Sequence, residues 1–155
     1  MTVSATTRAP RKGEVDGVNY FFLTREEFDR RVANGEFVEW AEVHGNCYGT
    51  LVSEVTSKLA SGASLILEID VQGALQVKER FPEAVLIFIK PPSLEVLRER
   101  LVGRGTETPE TIELRMANAA DELALADRYD DVVVNDDLDR ATDELVRVLD
   151  MHERI

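Results

Sequence analysis

The sequence predicts an α/β fold in which a parallel sheet is flanked by helices. Three short, β-branched-rich apolar runs suggest it: Ser64–Ile69, Ala84–Ile89 and Asp131–Asn135. Such runs suit strands buried on both faces. A helical pattern follows each one, over Val71–Arg80, Leu94–Val102 and Leu138–Arg154. Strands alternating with helices imply right-handed parallel crossovers. Residues 20 to 62 have a different texture. There Thr24-Arg25-Glu26-Glu27 reads as a capping box opening a helix to about Asn34. Phe37–His44 and Asn46–Leu51 read as strands joined by a turn containing Gly45, so this stretch is expected to form a mostly β insert beside the parallel sheet.

Individual residues support these elements. Ser93 is placed to N-cap its helix, with Leu94, Leu97 and Leu101 as the apolar stripe. Gly103-Arg104-Gly105 reads as a flexible tip, and Thr108-Pro109 as the N-cap and first turn of another helix. Phe37 and Trp40 are read as core and Cys47 as a small buried filler. There are no repeats, low-complexity tracts or obvious linkers.

At 155 residues and 44% hydrophobic, the chain is expected to form one domain with a single core. Cys47 is the only cysteine, which rules out an intramolecular disulfide, and with two histidines the chain has no zinc-type ligand cluster. No apolar run approaches a membrane span and the N-terminus has no signal-peptide layout, so the expectation is a soluble, cytoplasmic protein with no membrane partner. A net charge of −12 argues against a nucleic-acid surface. Positive charge gathers in two places, at Arg8, Arg11 and Lys12 and again at Arg98, Arg100 and Arg104. That distribution suits a small anion, with a solvated helix face as the plainer account of the second cluster.

Arg8 and Arg11 precede Tyr20, Glu39, Tyr48 and Thr50 in a series whose chemistry suits a phosphorylated nucleotide. Two guanidinium forks can grip a phosphate dianion, phenol hydroxyls can close its remaining oxygens, and a carboxylate can accept from the paired N–H donors of a guanine edge. Taken singly, Arg-x-x-Arg is more often a solvated turn, and Tyr20 beside Phe21 and Phe22 could be core. Glu68, Asp70, Asn135, Asp136 and Asp137 close apolar runs, and open α/β sheets bind ligands at the carboxyl ends of their strands. Polar groups also stand there simply because strands emerge into solvent.

Several segments together resemble guanylate kinases, in order and with closely matching spacing: Ser4–Gly17, Tyr20-Phe21-Phe22, Phe37–Ala41, Gly45–Thr50, Ile69–Gly73 and Val134–Asp137. The resemblance runs from residue 2 to about 150. It implies the fold of the P-loop nucleoside monophosphate kinases, with a GMP-binding insert at about 8–62, a short lid at about 103–115 and the remainder as core. It also implies GMP and ATP as substrates, with Mg²⁺ accompanying ATP. For GMP the implied set is Ser4, Arg8, Arg11, Tyr20, Glu39, Tyr48, Thr50, Glu68 and Asp70. For ATP it is Arg100, Arg104, Asn135 and Asp136. Arg11, Arg104 and Arg115 are the implied catalytic residues, and Asp70 would hold a magnesium-bound water. Arg100 and Arg115 could instead merely pair with Glu99, Glu110 or Glu113 on exposed helix faces.

One departure from the family pattern is large. No Gly-x-x-x-x-Gly-Lys-Ser/Thr occurs in these 155 residues, so the backbone nest and lysine that cradle donor phosphates are not among them. Gly13–Gly17 is no substitute, since Glu14 and Asp16 would repel phosphate. The expectation is a guanylate kinase whose first strand, phosphate loop and helix precede Met1, with the chain as given impaired in turnover. A catalytically inactive module binding GMP or a phosphorylated peptide is the second reading, and an unrelated small α/β regulatory domain the third. The oligomeric state is not legible in the sequence.

Overall fold

The computed structural model describes residues 2–153. They form two units, divided between Ala84 and Val85.

The first unit is built on a four-stranded mixed sheet in the order β2-β1-β4-β3. Its strands are β1 (Ala5–Thr6), β2 (Phe21–Phe22), β3 (Phe37–Val43) and β4 (Asn46–Leu51). β1 runs parallel to β2 and antiparallel to β4, and β3 and β4 form a hairpin. The hairpin's Val43↔Asn46 pair leaves His44 and Gly45 as a two-residue turn, both with positive φ (50° and 81°). That geometry matches the twist of the flanking strands. The predicted hairpin is therefore present. Helix α1 (Arg25–Ala33) starts where expected, the Thr24 hydroxyl accepting from the Glu27 N–H. Glu27 does not complete the box; its carboxylate pairs with Arg30 and Arg31. Phe28, fully buried, stacks on Phe37 with ring centroids 4.4 Å apart, and Ala5, Cys47 and Leu51 complete that core. Trp40 departs from expectation. It is 38% exposed, because β3 turns its far end to solvent, and meets Phe28 only edge-on.

Two more helices follow in this unit. α2 (Val52–Ala60) starts directly after β4 with no side-chain cap, which is why its start carries no sequence signal. α3 (Val71–Arg80) occupies the predicted residues, capped by Asp70. The segment before α3 differs from expectation. Ser64–Ile69 forms no strand ladder among the described residues, though Leu65, Leu67 and Ile69 pack against the Val38, Val55 and Val77 cluster. Its alternating exposure is that of an extended chain with one face covered, whereas a strand needs a neighbour to pair its backbone groups.

In the second unit, β5 (Ile87–Lys90) and β6 (Asp131–Val134) pair in parallel, Ile87 opposite Asp131. Between them run α4 (Leu94–Arg104), α5 (Pro109–Ala124) and a single 3₁₀ turn, and α6 (Leu138–Glu153) follows β6. The pairing is the parallel arrangement predicted for these two runs, but neither strand is covered on both faces: Ile89, Val132 and Val134 are exposed while Phe88 and Val133 are buried. Ser93 and Thr108 cap α4 and α5 as expected, with Pro109 in the first turn of α5. The Gly103-Arg104-Gly105 tip is more ordered than expected. α4 continues through Arg104, and Gly105 ends it in the left-handed conformation (φ 66°) that glycine adopts without strain.

Candidate functional site

A cavity of about 210 Å³ in the first unit is lined by Thr2, Ser4, Asn19, Tyr20, Thr50 and the Ile66–Ile69 segment, Glu68 included. Four sequence-expected residues therefore share one space: Ser4, Tyr20, Thr50 and Glu68. β1, β2 and β4 bring the first three together, because Phe21 N–H donates to the Ser4 carbonyl and Ala5 lies opposite both Phe21 and Gly49.

Glu39 does not line this cavity and reaches it through Thr50, whose hydroxyl donates to Oε1 at 2.7 Å. The residue is only 6% exposed. Burial pushes its carboxyl above the ordinary value; the Thr50 hydrogen bond opposes this and the nearby Asp70 charge adds to it. Asp70 is spent partly on structure, Oδ1 accepting the Gly73 N–H at 2.8 Å to cap α3.

Arg8, Tyr20 and Tyr48 also meet. The Arg8 guanidinium carbon sits 5.3 Å from the Tyr20 ring centroid, and the two tyrosine rings meet edge-on at 6.3 Å. Arg8 is held there by Glu14, whose two oxygens accept from Nη1 (2.9 Å) and Nη2 (3.0 Å). The pair is mostly buried, with side-chain exposures of 14% and 18%. Glu14 raises the Arg8 pKa above its ordinary range, with Tyr48 contributing less, while Arg8 and the Arg11 N–H hold Glu14 below the usual carboxylate range. Sequence reasoning missed this role for Glu14. Glu14 N–H donates to the Arg11 carbonyl across a turn in which Gly13 has φ 87°, and that turn swings the carboxylate back onto Arg8. Asp16 likewise has a structural partner, the Phe22 N–H at 2.9 Å. Arg11 is exposed, and its backbone N–H donates to Glu14 Oε1 at 2.7 Å.

In the second unit, Arg100 donates to the carbonyls of Asn135 (2.8 Å) and Asp136 (3.2 Å), so three of the four residues expected at the ATP site are in contact. Arg104, the fourth, ends α4 and is exposed. The acidic partners of this region are not those expected. Arg98 pairs with Glu113, and Arg115 pairs with Glu107 at 3.0 Å. The other Glu107 oxygen is buried with no hydrogen-bond partner. Nothing in the spacing of Glu107 and Arg115 signals their pairing, since it depends on the turn between α4 and α5.

Residues 1–152 match the family model described as guanylate kinase. The chain belongs to the guanylate kinase family. Its relatives include the guanylate kinases of Halalkalibacterium halodurans, 55% identical over 148 residues, and Gloeobacter violaceus, 57% identical over 149. Each alignment covers 96% of this chain, with 72% and 73% of the relative. The crystal structure of guanylate kinase from Anaplasma phagocytophilum superposes with a TM-score of 0.74 at 41% identity, over 97% of this chain and 73% of that one. The α/β fold is thus that of a guanylate kinase, and membership makes the chain a nucleotide-binding transferase of purine metabolism. Among the described residues no helix is long and apolar enough to cross a membrane.

Proposed function

We propose that the chain transfers a phosphoryl group from ATP to GMP, that residues of about 8–62 hold GMP and that a lid at about 103–115 closes on the reacting phosphates within one cytoplasmic guanylate kinase domain. The observation that carries the GMP reading is the buried Glu39–Thr50 pair beside the cavity that Ser4, Tyr20 and Glu68 line. A carboxylate in that position can accept the guanine N1–H and 2-amino group, while Ser4 and Thr50 offer hydroxyls to the base. Adenine has neither donor, and a site built around such hydrogen bonds can reject the analogue by ~10⁴-fold. Arg8, Arg11, Tyr20 and Tyr48 bind the monophosphate. Glu14 keeps the Arg8 fork oriented before the ligand arrives, so less side-chain freedom is lost on binding.

Arg100, Arg104, Asn135 and Asp136 form the ATP side. Arg104 and Arg115 neutralise charge on the transferring group, and Arg11 does so from the acceptor side. Family membership suits a divalent metal with ATP. The described residues include no cluster of three or more His, Cys, Asp or Glu side chains. That fits Mg²⁺, which keeps most of its waters and uses few carboxylates. Asp70 is the residue that would hold one of those waters. When bound, the ion would neutralise charge on the phosphate oxygens.

Calorimetric titration with GMP and AMP tests the acceptor site. Preference for GMP, lost in Glu39→Ala, is the expected result; equal affinity for both nucleotides overturns it. A coupled assay for ADP and GDP formed from ATP and GMP, run on a polypeptide that carries a Gly-x-x-x-x-Gly-Lys-Ser/Thr segment ahead of these residues, tests the reaction, and GMP binding without turnover in that polypeptide would favour a binding module instead.

A further inference from the structure

We propose that Gly73 positions the Glu39 carboxylate, so that a missing side chain on α3 helps set the choice of base. The inference rests on Glu39 being the guanine acceptor. Gly73 is buried in the first turn of α3 with an ordinary helical backbone, so the conformation does not require glycine. Glycine is among the poorest helix formers, and its presence calls for another reason. The reason is steric. A Cβ at this position would lie 2.8 Å from Glu39 Oε2, 3.4 Å from Glu39 Cδ and 3.2 Å from Asp70 Oδ1. All three atoms belong to the ends of side chains, and none to backbone or core. A methyl group there therefore pushes on the two carboxylates and leaves the helix in place.

Glu39 has little room to yield. Its Oε1 is tied to the Thr50 hydroxyl at 2.7 Å, and Asp70 is tied to the Gly73 N–H at 2.8 Å. Displacing Oε2 means rotating the carboxylate about the Thr50 bond or breaking that bond. Either turns the acceptor pair away from the place where a guanine edge could meet both oxygens. Gly73 touches no ligand in this account; it is a positioning residue, acting through Glu39.

The experiment is a double-mutant cycle on the 155-residue chain, titrated with GMP and with AMP by calorimetry, using Gly73→Ala, Glu39→Ala and both together. Gly73→Ala should weaken GMP by about tenfold or more and leave AMP within about twofold, narrowing selectivity. In the Glu39→Ala background the same change should alter GMP affinity by less than about twofold, because the atoms it displaces are gone. Equal losses in both backgrounds overturn the proposal. If Glu39→Ala loses the GMP preference and Gly73→Ala keeps it, Gly73 has no positioning role and the base site stands. If neither variant loses it, the base-site reading itself fails. Should Gly73→Ala fold poorly, melting temperature gives the same cycle: the drop should shrink when Glu39 is also alanine, and an undiminished drop overturns the proposal.

Discussion

Several charged side chains are held in opposite ways in the two units. In residues 2–84, Arg8 and Glu39 are sheltered from water and bonded to Glu14 and Thr50. In residues 85–153, Arg98 and Arg115 are about half exposed and Arg104 is exposed at a helix end. A sheltered, doubly bonded side chain is fixed before any ligand arrives, which suits recognition of a ground state. An exposed arginine on a long stem has weak attachments and can be recruited when charge develops, which suits a group acting in the transition state. Gly49 and Gly103 also differ in the space around them. A Cβ at Gly49 in the first unit would meet the Phe37 ring at 2.7 Å and the Glu39 carbonyl at 2.9 Å, whereas at Gly103 in the second it would meet nothing within 4 Å.

The sharpest way to break this contrast is kinetic. In a polypeptide that carries a phosphate loop ahead of these residues, Arg104→Ala or Arg115→Ala should slow phosphoryl transfer by about 10³-fold while GMP affinity stays within about twofold. A matching loss of GMP affinity would mean that these arginines bind the ground state, and the distinction between the units would fail. Next in size is Arg8→Ala. It should weaken GMP by about 10²-fold and scarcely change guanosine, since only charge-assisted bonds to the phosphate are lost. Equal effects on both ligands in calorimetry would place Arg8 away from the phosphate.

The glycine pair gives a smaller effect, of opposite sign in the two units. Gly49→Ala should destabilise by about 1–3 kcal/mol through overpacking. Gly103→Ala should stabilise by about 0.5–1 kcal/mol, since its helical position has room for the methyl group. Urea midpoints read both, and the same sign for both would contradict the packing described.

The smallest effect is the pH dependence of Glu39. Its folded pKa is raised by burial, so the folded chain binds this proton more tightly than the unfolded chain. The resulting stability is fully present below the unfolded value near 4.3 and is lost as pH rises through the raised folded value. Relative to Glu39→Gln, the parent's melting temperature should therefore fall as pH increases from about 4 and then level off. A constant difference across that range would show that Glu39 is not perturbed.

The sequence alone determined the pieces whose signals are local. The Thr24, Ser93 and Thr108 caps, the hairpin turn at Gly45 and the extent of α3 each depend on residues within one turn of themselves. It also determined the family, because ordered motifs from Ser4 to Asp137 do not coincide by chance. Tertiary structure decided what contact rather than spacing controls. Ser64–Ile69 has the composition of a strand and lacks a ladder, since pairing belongs to the neighbour and not to the run. Trp40 has the composition of a core residue and stands 38% exposed. Glu14 would repel phosphate as an isolated charge, yet a turn directs it onto Arg8. Glu107 meets Arg115 only because the chain reverses between α4 and α5. Candidate site residues could be nominated from the sequence because side-chain chemistry is local. Their partners could not, because an ion pair or a steric contact depends on where the backbone delivers two residues in space.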